Sequence, residues 1–218
     1  IFVKEGPYTF GEGIGVHTLF IYKNHERYIP DLALDEVSDL VRAYRDYSRK
    51  VSDDPCIAYV FVFHNHGHEA GASLAHLHSQ LIALSIIPPH ITQSLNGSDR
   101  YMKQYGICAH CAIINYEKSV SKRVIDENEK FIAIASFAPK SAFEIRIFPK
   151  IHQSSFDTME DHDIPLFSDI MQRVLKRFYK GLNDPAYNFF IHTTPIHSPE
   201  CYTYYHWHVE IVPKTSVW

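Results

Sequence analysis

The chain has no stretch approaching the roughly 18–20 consecutive apolar residues that a membrane helix requires, so no membrane span is expected. Its first residues, Ile1-Phe2-Val3-Lys4-Glu5-Gly6, lack the basic start and apolar run of a secretory signal. An excess of positive charge is absent too. The formal net charge is −4, which speaks against a surface that coats nucleic acid, although one nucleotide can still bind in a locally positive pocket. Cysteine is sparse. The four present would allow two disulfides in a secreted chain, but Cys108-Ala-His-Cys111 stands in a sequence rich in histidine. Without an export signal, metal binding in a reducing, cytoplasmic setting is the better expectation.

What the chain has in unusual number is histidine: fifteen, spread along 218 residues rather than gathered at one end. Apolar residues make up 45%, enough to bury a core, and the length suits one large domain or two small ones. An internal repeat favours two. In the first half His25 is followed by an amphipathic segment, Leu34 to Tyr47, whose apolar steps of three and four fit a helix face. Then come Asp54-Pro55, an apolar run and His76-Leu77-His78. In the second half His152 is followed by a helical pattern from about Ile164 to Tyr179, then Asp184-Pro185, the strand-like Tyr187 to Ile191 and His206-Trp207-His208. Pro55 precedes His76 by the same interval as Pro185 precedes His206. Each unit reads strand, helix, strand, strand, with strands over Ile57 to Phe63, Phe131 to Ala135, Phe143 to Phe148 and His208 to Val212. The order predicts an α+β fold of tandem duplicated domains, 1–100 and 101–218, with helices packed on antiparallel sheet. The polar stretch from Pro88 to Tyr105, with Pro88-Pro89 and Asn96-Gly97 as breakers, reads as the linker.

Zinc favours thiolate and imidazole in tetrahedral sets, and a CxxC turn can put two sulfurs on one ion. Cys108 and Cys111 form such a pair, and histidines at matching repeat positions, His152 and His206, complete a Cys2His2 set. The alternative is a redox pair or two buried thiols. By the repeat, His25 and His76 are half of an equivalent first site whose cysteines would lie upstream of Ile1.

The densest chemistry runs from His64 to Gln80. Alternation predicts His76, His78 and Gln80 on one face of a strand. Neutral imidazole is a competent nucleophile towards phosphorus near pH 7, so His78 can take up a nucleotide as a phosphoramidate. Gln80 can donate to the charged phosphoryl oxygens, and the small Gly71-Ala72-Ser73 turn allows its backbone N–H groups close to a phosphate. The second repeat has Glu210 in place of Gln80 and no such turn, so only the first repeat is expected to react. The bland alternative makes His76 and His78 two ligands of one metal.

The run Asn65 to Gln80 resembles the active-site segment of galactose-1-phosphate uridylyltransferases and the related nucleotide-sugar and ADP-glucose phosphorylases. The second half resembles their C-terminal domain in Cys108-x-x-Cys111, Asp126-Glu127-Asn128, Phe137-Ala138, Phe143-Glu144, Pro149-Lys150-x-His152 and Tyr205 to Pro213. The resemblance implies a tandem of histidine-triad-like domains, usually a homodimer, in which His78 is the nucleophile and Gln80 stabilises the nucleotidylated histidine. It implies that His76 binds zinc and that Asn65 and Ser73 contact phosphate. The expected activity moves UMP from UDP-glucose, a nucleotide sugar, to galactose 1-phosphate, a sugar 1-phosphate. An ADP-glucose or dinucleotide phosphorylase using the same histidine, or a non-catalytic zinc-scaffolded nucleotide-binding protein, are the alternatives. Ala72 stands where many uridylyltransferases carry cysteine. The family's base-contacting segment would precede Ile1, and its sugar-contacting segment would follow Trp218.

Overall fold

Residues 2–25, 27–197 and 199–215 are described by the structure, a computed structural model. Ile1 and Trp218, the outer limits of the two halves as read from the sequence, lie outside the described residues. In chain order come β1 (Phe2–Glu5), β2 (Tyr8–Gly11), β3 (Gly15–Ile21), α1 (Leu34–Ser52), β4 (Tyr59–His66) and β5 (His78–Leu84). There follow α2 (Pro89–Tyr105), α3 (Ala109–Val120), β6 (Val124–Glu127), β7 (Phe131–Ala135), β8 (Ile145–Pro149), α4 (Ile164–Gly181), β9 (Tyr187–His192) and β10 (His208–Pro213).

β1 and β2 form a separate hairpin, and the other strands make one sheet in the order β3-β5-β4-β9-β10-β8-β7-β6. Every neighbouring pair is antiparallel. The order is a palindrome over its first six strands, so β3, β4 and β5 correspond to β8, β9 and β10. Phe63 opposes Phe190 where β4 meets β9. These two are also counterparts, since Phe63 pairs with Gln80 in β5 as Phe190 pairs with Glu210 in β10. A pseudo-two-fold axis therefore passes between them, and the fold is a mixed α+β architecture built by duplication.

The period of two sends alternate side chains to opposite faces. On one face Val60, Val62, Leu81, Ala83, Val209 and Ile211 are buried in a core shared with α1 and α4. α1 contributes Val37, Val41 and Tyr44, and α4 contributes Phe167, Ile170, Val174 and Phe178. Gln172 of α4 ties the halves together, its Nε2 donating to the Ile29 and Leu32 carbonyls at 3.2 and 2.7 Å. On the other face α2 sets Ile91 and Leu95 against Tyr59 and Tyr205. α3 sets Ile114 against Ile132, Ile134 and Phe148. No helix among the described residues is long and apolar enough to cross a membrane.

The stretch read as a linker is the helix α2. Pro89 sits in its first turn, where a missing N–H costs nothing. Ile91, Leu95 and Ser98 then recur at helical spacing to face the sheet, while Asn96-Gly97 lies among the less buried positions. Two strand starts also shift. Ile57 is held in a turn by its N–H to the Asp54 carbonyl, so β4 begins at Tyr59. Phe143 has φ +64°, a left-handed conformation that a strand excludes, so β8 begins at Ile145.

Candidate active site and metal centre

β5 begins at His78, so His76, expected on the same strand face, sits in the loop before it. The ladder runs one pair past β5, with the Leu77 carbonyl accepting the N–H of Tyr22 just past the end of β3, and the chain leaves it at His76. This departure puts the His76 carbonyl 2.8 Å from His78 Nδ1. A carbonyl can only accept, so Nδ1 carries the proton and Nε2 keeps its lone pair. That is the tautomer a nucleophile requires.

Gln80 lies two residues on, on the face opposite the helices α1 and α4. Its Oε1 is 2.9 Å from His17 Nε2 on β3, and with the ring nitrogen donating, the amide NH2 is left free to donate. Asn65 is oriented in the same way, its Oδ1 accepting from Asn188 Nδ2 at 2.8 Å. Asn188 also donates to the Ala70 carbonyl at 2.7 Å, and so fixes the amide and the following turn together. Gly67 and Gly71, at φ +80° and +84°, allow that turn. A Cβ on Gly67 would meet the Ala186 Cβ at 2.7 Å. Gly71-Ala72-Ser73 is thereby placed over the end of β4, beside the Asn65 Nδ2. A cavity of about 380 Å³ opens beside this turn, lined by Tyr28, His64, Asn65, Ser73, His76 and Asp184 among others, with His78 and Gln80 outside its lining. A larger groove, about 850 Å³, lies between β6 and α4, away from these groups. His17 and Asn188 were not singled out from the sequence. Only the sheet register, which a single sequence does not give, brings them to the site.

At the other end of the molecule Cys108, Cys111, His152 and His206 converge, one ligand atom from each lying within 4.8 Å of all the others. The cysteines flank the start of α3, His152 follows β8 and His206 precedes β10. His152 Nε2 donates to the Thr203 carbonyl (2.8 Å) and His206 Nε2 to that of Pro149 (3.0 Å), which leaves both Nδ1 atoms unprotonated and turned to the sulfurs. Cys111 Sγ is 3.2 and 3.4 Å from them. A hydrogen bond from Cys111 pulls the Cys108 thiol down strongly, and that same bond pushes Cys111 up. One thiolate is thus favoured and the second awaits a cation that would displace its proton. The cluster can hold a metal ion, and its two sulfurs and two oriented imidazoles suit zinc.

His25 and His76 also come together, with ring centroids 4.0 Å apart. His76 Nε2 contacts the Tyr22 carbonyl. This repeats the His206–Pro149 bond at the corresponding place and leaves Nδ1 free in the same way.

In the second repeat His208 and Glu210 correspond to His78 and Gln80. His208 is enclosed by the rings of His110 and His192, each 4.8 Å away, and by Phe148. Burial pushes the Glu210 carboxyl up, but the His192 hydrogen bond at 2.8 Å, with the charges of His192, Arg146 and Lys140, holds it at about 2. A carboxylate so engaged is a structural anion.

Burial pushes His64 down to about 3 and His208 well below its ordinary value. Each stays neutral in the folded state while its unfolded counterpart takes up a proton below about pH 6.5, so stability falls as pH drops from there. The slope is about 1.4 kcal/mol per pH unit for each such group. The melting temperature is expected to fall between pH 7 and pH 5, and to fall less in a His64→Ile variant. Equal drops in the two proteins would contradict the assignment for His64.

A family profile described as a domain of unknown function (DUF4921) matches residues 20–182. An ADP-glucose phosphorylase of Arabidopsis thaliana is 35% identical over 206 residues, 94% of this chain and 57% of its own length. A galactose-1-phosphate uridylyltransferase of Thermotoga maritima is 26% identical over 212 residues, 96% of this chain and 66% of its own. The crystal structure of an Arabidopsis thaliana ADP-glucose phosphorylase with bound ADP-glucose superposes with a TM-score of 0.86 at 34% identity, over 94% of this chain and 65% of that one. The chain belongs to the galactose-1-phosphate uridylyltransferase-like family. It spans less than two thirds of the curated relatives' lengths. Of the candidate site residues read from the sequence of this member of the galactose-1-phosphate uridylyltransferase-like family, only His206 lies outside the span matched by the profile.

Proposed function

We propose that the protein is a nucleotidyltransferase that passes a nucleoside monophosphate from a nucleotide sugar to a phosphate-bearing acceptor, through a nucleotide held on His78. The observation that carries this reading is the His78 Nδ1 bond to the His76 carbonyl, which leaves the Nε2 lone pair for phosphorus beside Gln80 and the Gly71 to Ser73 turn; His208 makes the same bond to the His206 carbonyl at 3.1 Å but has neither neighbour. Nε2 attacks the α-phosphorus, the bond to the sugar 1-phosphate oxygen breaks, and that dianion leaves. The imidazole keeps its Nδ1 proton, and its positive charge is stabilised by the carbonyl. An acceptor phosphate oxygen then attacks the same phosphorus, the N–P bond breaks and neutral His78 returns. The free amide groups of Gln80 and Asn65 donate to the phosphoryl oxygens as charge builds on them. Ser73 and the Gly71-Ala72 backbone approach the other phosphate.

The partners follow from this chemistry: in the uridylyltransferase reading the donor is UDP-glucose and the acceptor galactose 1-phosphate. The phosphorylase reading, ADP-glucose with inorganic phosphate, is favoured by the higher identity to the Arabidopsis thaliana ADP-glucose phosphorylase, 35% against 26%. Product analysis of both donors, with galactose 1-phosphate or with inorganic phosphate as acceptor, separates them. Zinc at Cys108, Cys111, His152 and His206 holds the second half together in this proposal, and His25 and His76 are ligands of a first site. A homodimer in the cytoplasm belongs to the same reading, and sedimentation tests the dimer.

Gln80→Glu places a carboxylate where phosphoryl charge develops and is expected to slow adduct formation about 100-fold or more. Glu210→Gln should leave the adduct rate unchanged while lowering stability, because it removes the partner of His192, Arg146 and Lys140. Single-turnover labelling of both variants is the measurement. Equal defects, or an adduct mapped to His208, would refute the division of labour.

A further inference from the structure

Behind the nucleophile, on the helix side of the sheet, three polar residues are buried side by side: Tyr44, His64 and Ser79, at 0, 2 and 1% exposure. The Tyr44 hydroxyl is 2.6 Å from Ser79 Oγ. His64 Nδ1 is 3.1 Å from the same oxygen and 2.8 Å from the carbonyl oxygen of His78. Since that carbonyl can only accept, Nδ1 carries the proton and donates to it. The His64 ring stacks on Phe189, with centroids 5.1 Å apart and planes 25° apart, which packs one face of the ring. Its Nε2 is buried with no hydrogen-bond partner.

Burying these groups is costly unless something requires them, and the second repeat supplies an internal control. The strand position opposite Ser79 is His64, and the position opposite its counterpart Val209 is Ile191. The place in α4 that matches Tyr44 in α1 is Val174. The same layer is therefore built from isoleucine and two valines in the half that lacks the phosphate turn, and all three are buried there. The fold does not need the polar group, which occurs only behind the proposed nucleophile.

We infer that His64, backed by Ser79 and Tyr44, is a positioning residue that clamps the backbone of His78 so that its Nε2 is aimed at phosphorus. The inference rests on the proposed role of His78. That ring is anchored to the loop through Nδ1 and the His76 carbonyl, and His64 anchors its backbone through the other side of the sheet. With both held, the ring has little freedom left except along the direction of attack. Misplacement by about 1 Å can cost on the order of 100-fold in rate.

The test is single-turnover formation of the histidine–nucleotide adduct by the full-length protein, with labelled UDP-glucose and ADP-glucose as probes. His64→Ile copies the second repeat and is expected to form adduct about 100-fold more slowly at saturating donor, with little change in donor affinity. His64→Asn retains an N–H near the Nδ1 position and is expected to recover most of the rate. Should His64→Ile not fold, the variant His64→Ile/Ser79→Val/Tyr44→Phe replaces the whole layer by apolar groups and is expected to melt at or above the wild-type temperature, yet label as slowly. A folded apolar variant that labels at the wild-type rate overturns the inference. So does a His64→Asn protein as slow as His64→Ile at equal stability. If the wild-type protein itself forms no adduct on His78 with either probe, the proposed function has failed instead, which is a separate outcome.

Discussion

His78→Asn is expected to lower adduct formation and turnover by roughly a thousandfold or more, with the melting temperature nearly unchanged. The two effects separate because of where the side chain's bonds go. The asparagine amide nitrogen can replace Nδ1 in the bond to the His76 carbonyl, so the local hydrogen bonding survives. Nothing in asparagine replaces the Nε2 lone pair, so the covalent route closes. The side chain faces away from the core shared by α1 and α4, and shortening it leaves that core intact. Thermal melts beside single-turnover labelling make the measurement. A variant that kept more than a few per cent of the wild-type rate would move the nucleophile elsewhere.

Loss of the metal is expected to have the largest effect on stability. The purified protein should carry at least one zinc per chain. Cys108→Ser, or exhaustive chelation, should remove it and cost several kcal/mol, a fall in melting temperature on the order of 10 °C for a chain of this size. The size of the effect follows from topology. The ligands come from the start of α3, the loop after β8 and the loop before β10, so one ion would cross-link three segments, adding α3 to the two loops that hydrogen bonds such as His152 to the Thr203 carbonyl already join. Without the cation the two sulfurs share a proton, and the buried His206 and the exposed His152 imidazoles face them with nothing between. Metal analysis together with melts would test this, and full zinc content in the Cys108→Ser protein would discard the ligand set.

The elements that reached the page from sequence did so through periodicity. Leu34, Val37, Leu40, Val41 and Tyr44 announce α1, and the run Phe131 to Ala135 coincides with β7. The helix α2 was hidden by its own punctuation. Pro88-Pro89 reads as a break but starts a helix, and Asn96-Gly97 reads as a turn but is tolerated once Ile91 and Leu95 are buried against the sheet. In the site, residues close in the chain were legible as a group: Asn65, the Gly71 to Ser73 turn, His78 and Gln80. The cysteine pair and the two repeat-related histidines were legible through spacing, and the structure brings those four together. The groups that orient the site were not. His17, Asn188, His64 and Ser79 meet their partners across strands and Tyr44 reaches Ser79 from α1, contacts that depend on sheet register and helix packing, and nothing in their own neighbourhood distinguishes them from ordinary strand and helix residues.

The pairing of β4 with β9 has a consequence for assembly. Val62 to His66 runs against Ile191 to Tyr187, and the two strands are copies of one ancestral edge. An edge that binds its own copy is self-complementary, so β4 of one chain can in principle meet β4 of another during synthesis, before the second half has emerged. The covalent tether through α2 and α3 opposes this by raising the local concentration of the correct partner far above that of any neighbouring chain. A chain nicked within α2 would lose the tether while keeping the ladder, so its two fragments would stay associated once folded and would mispair when refolded apart.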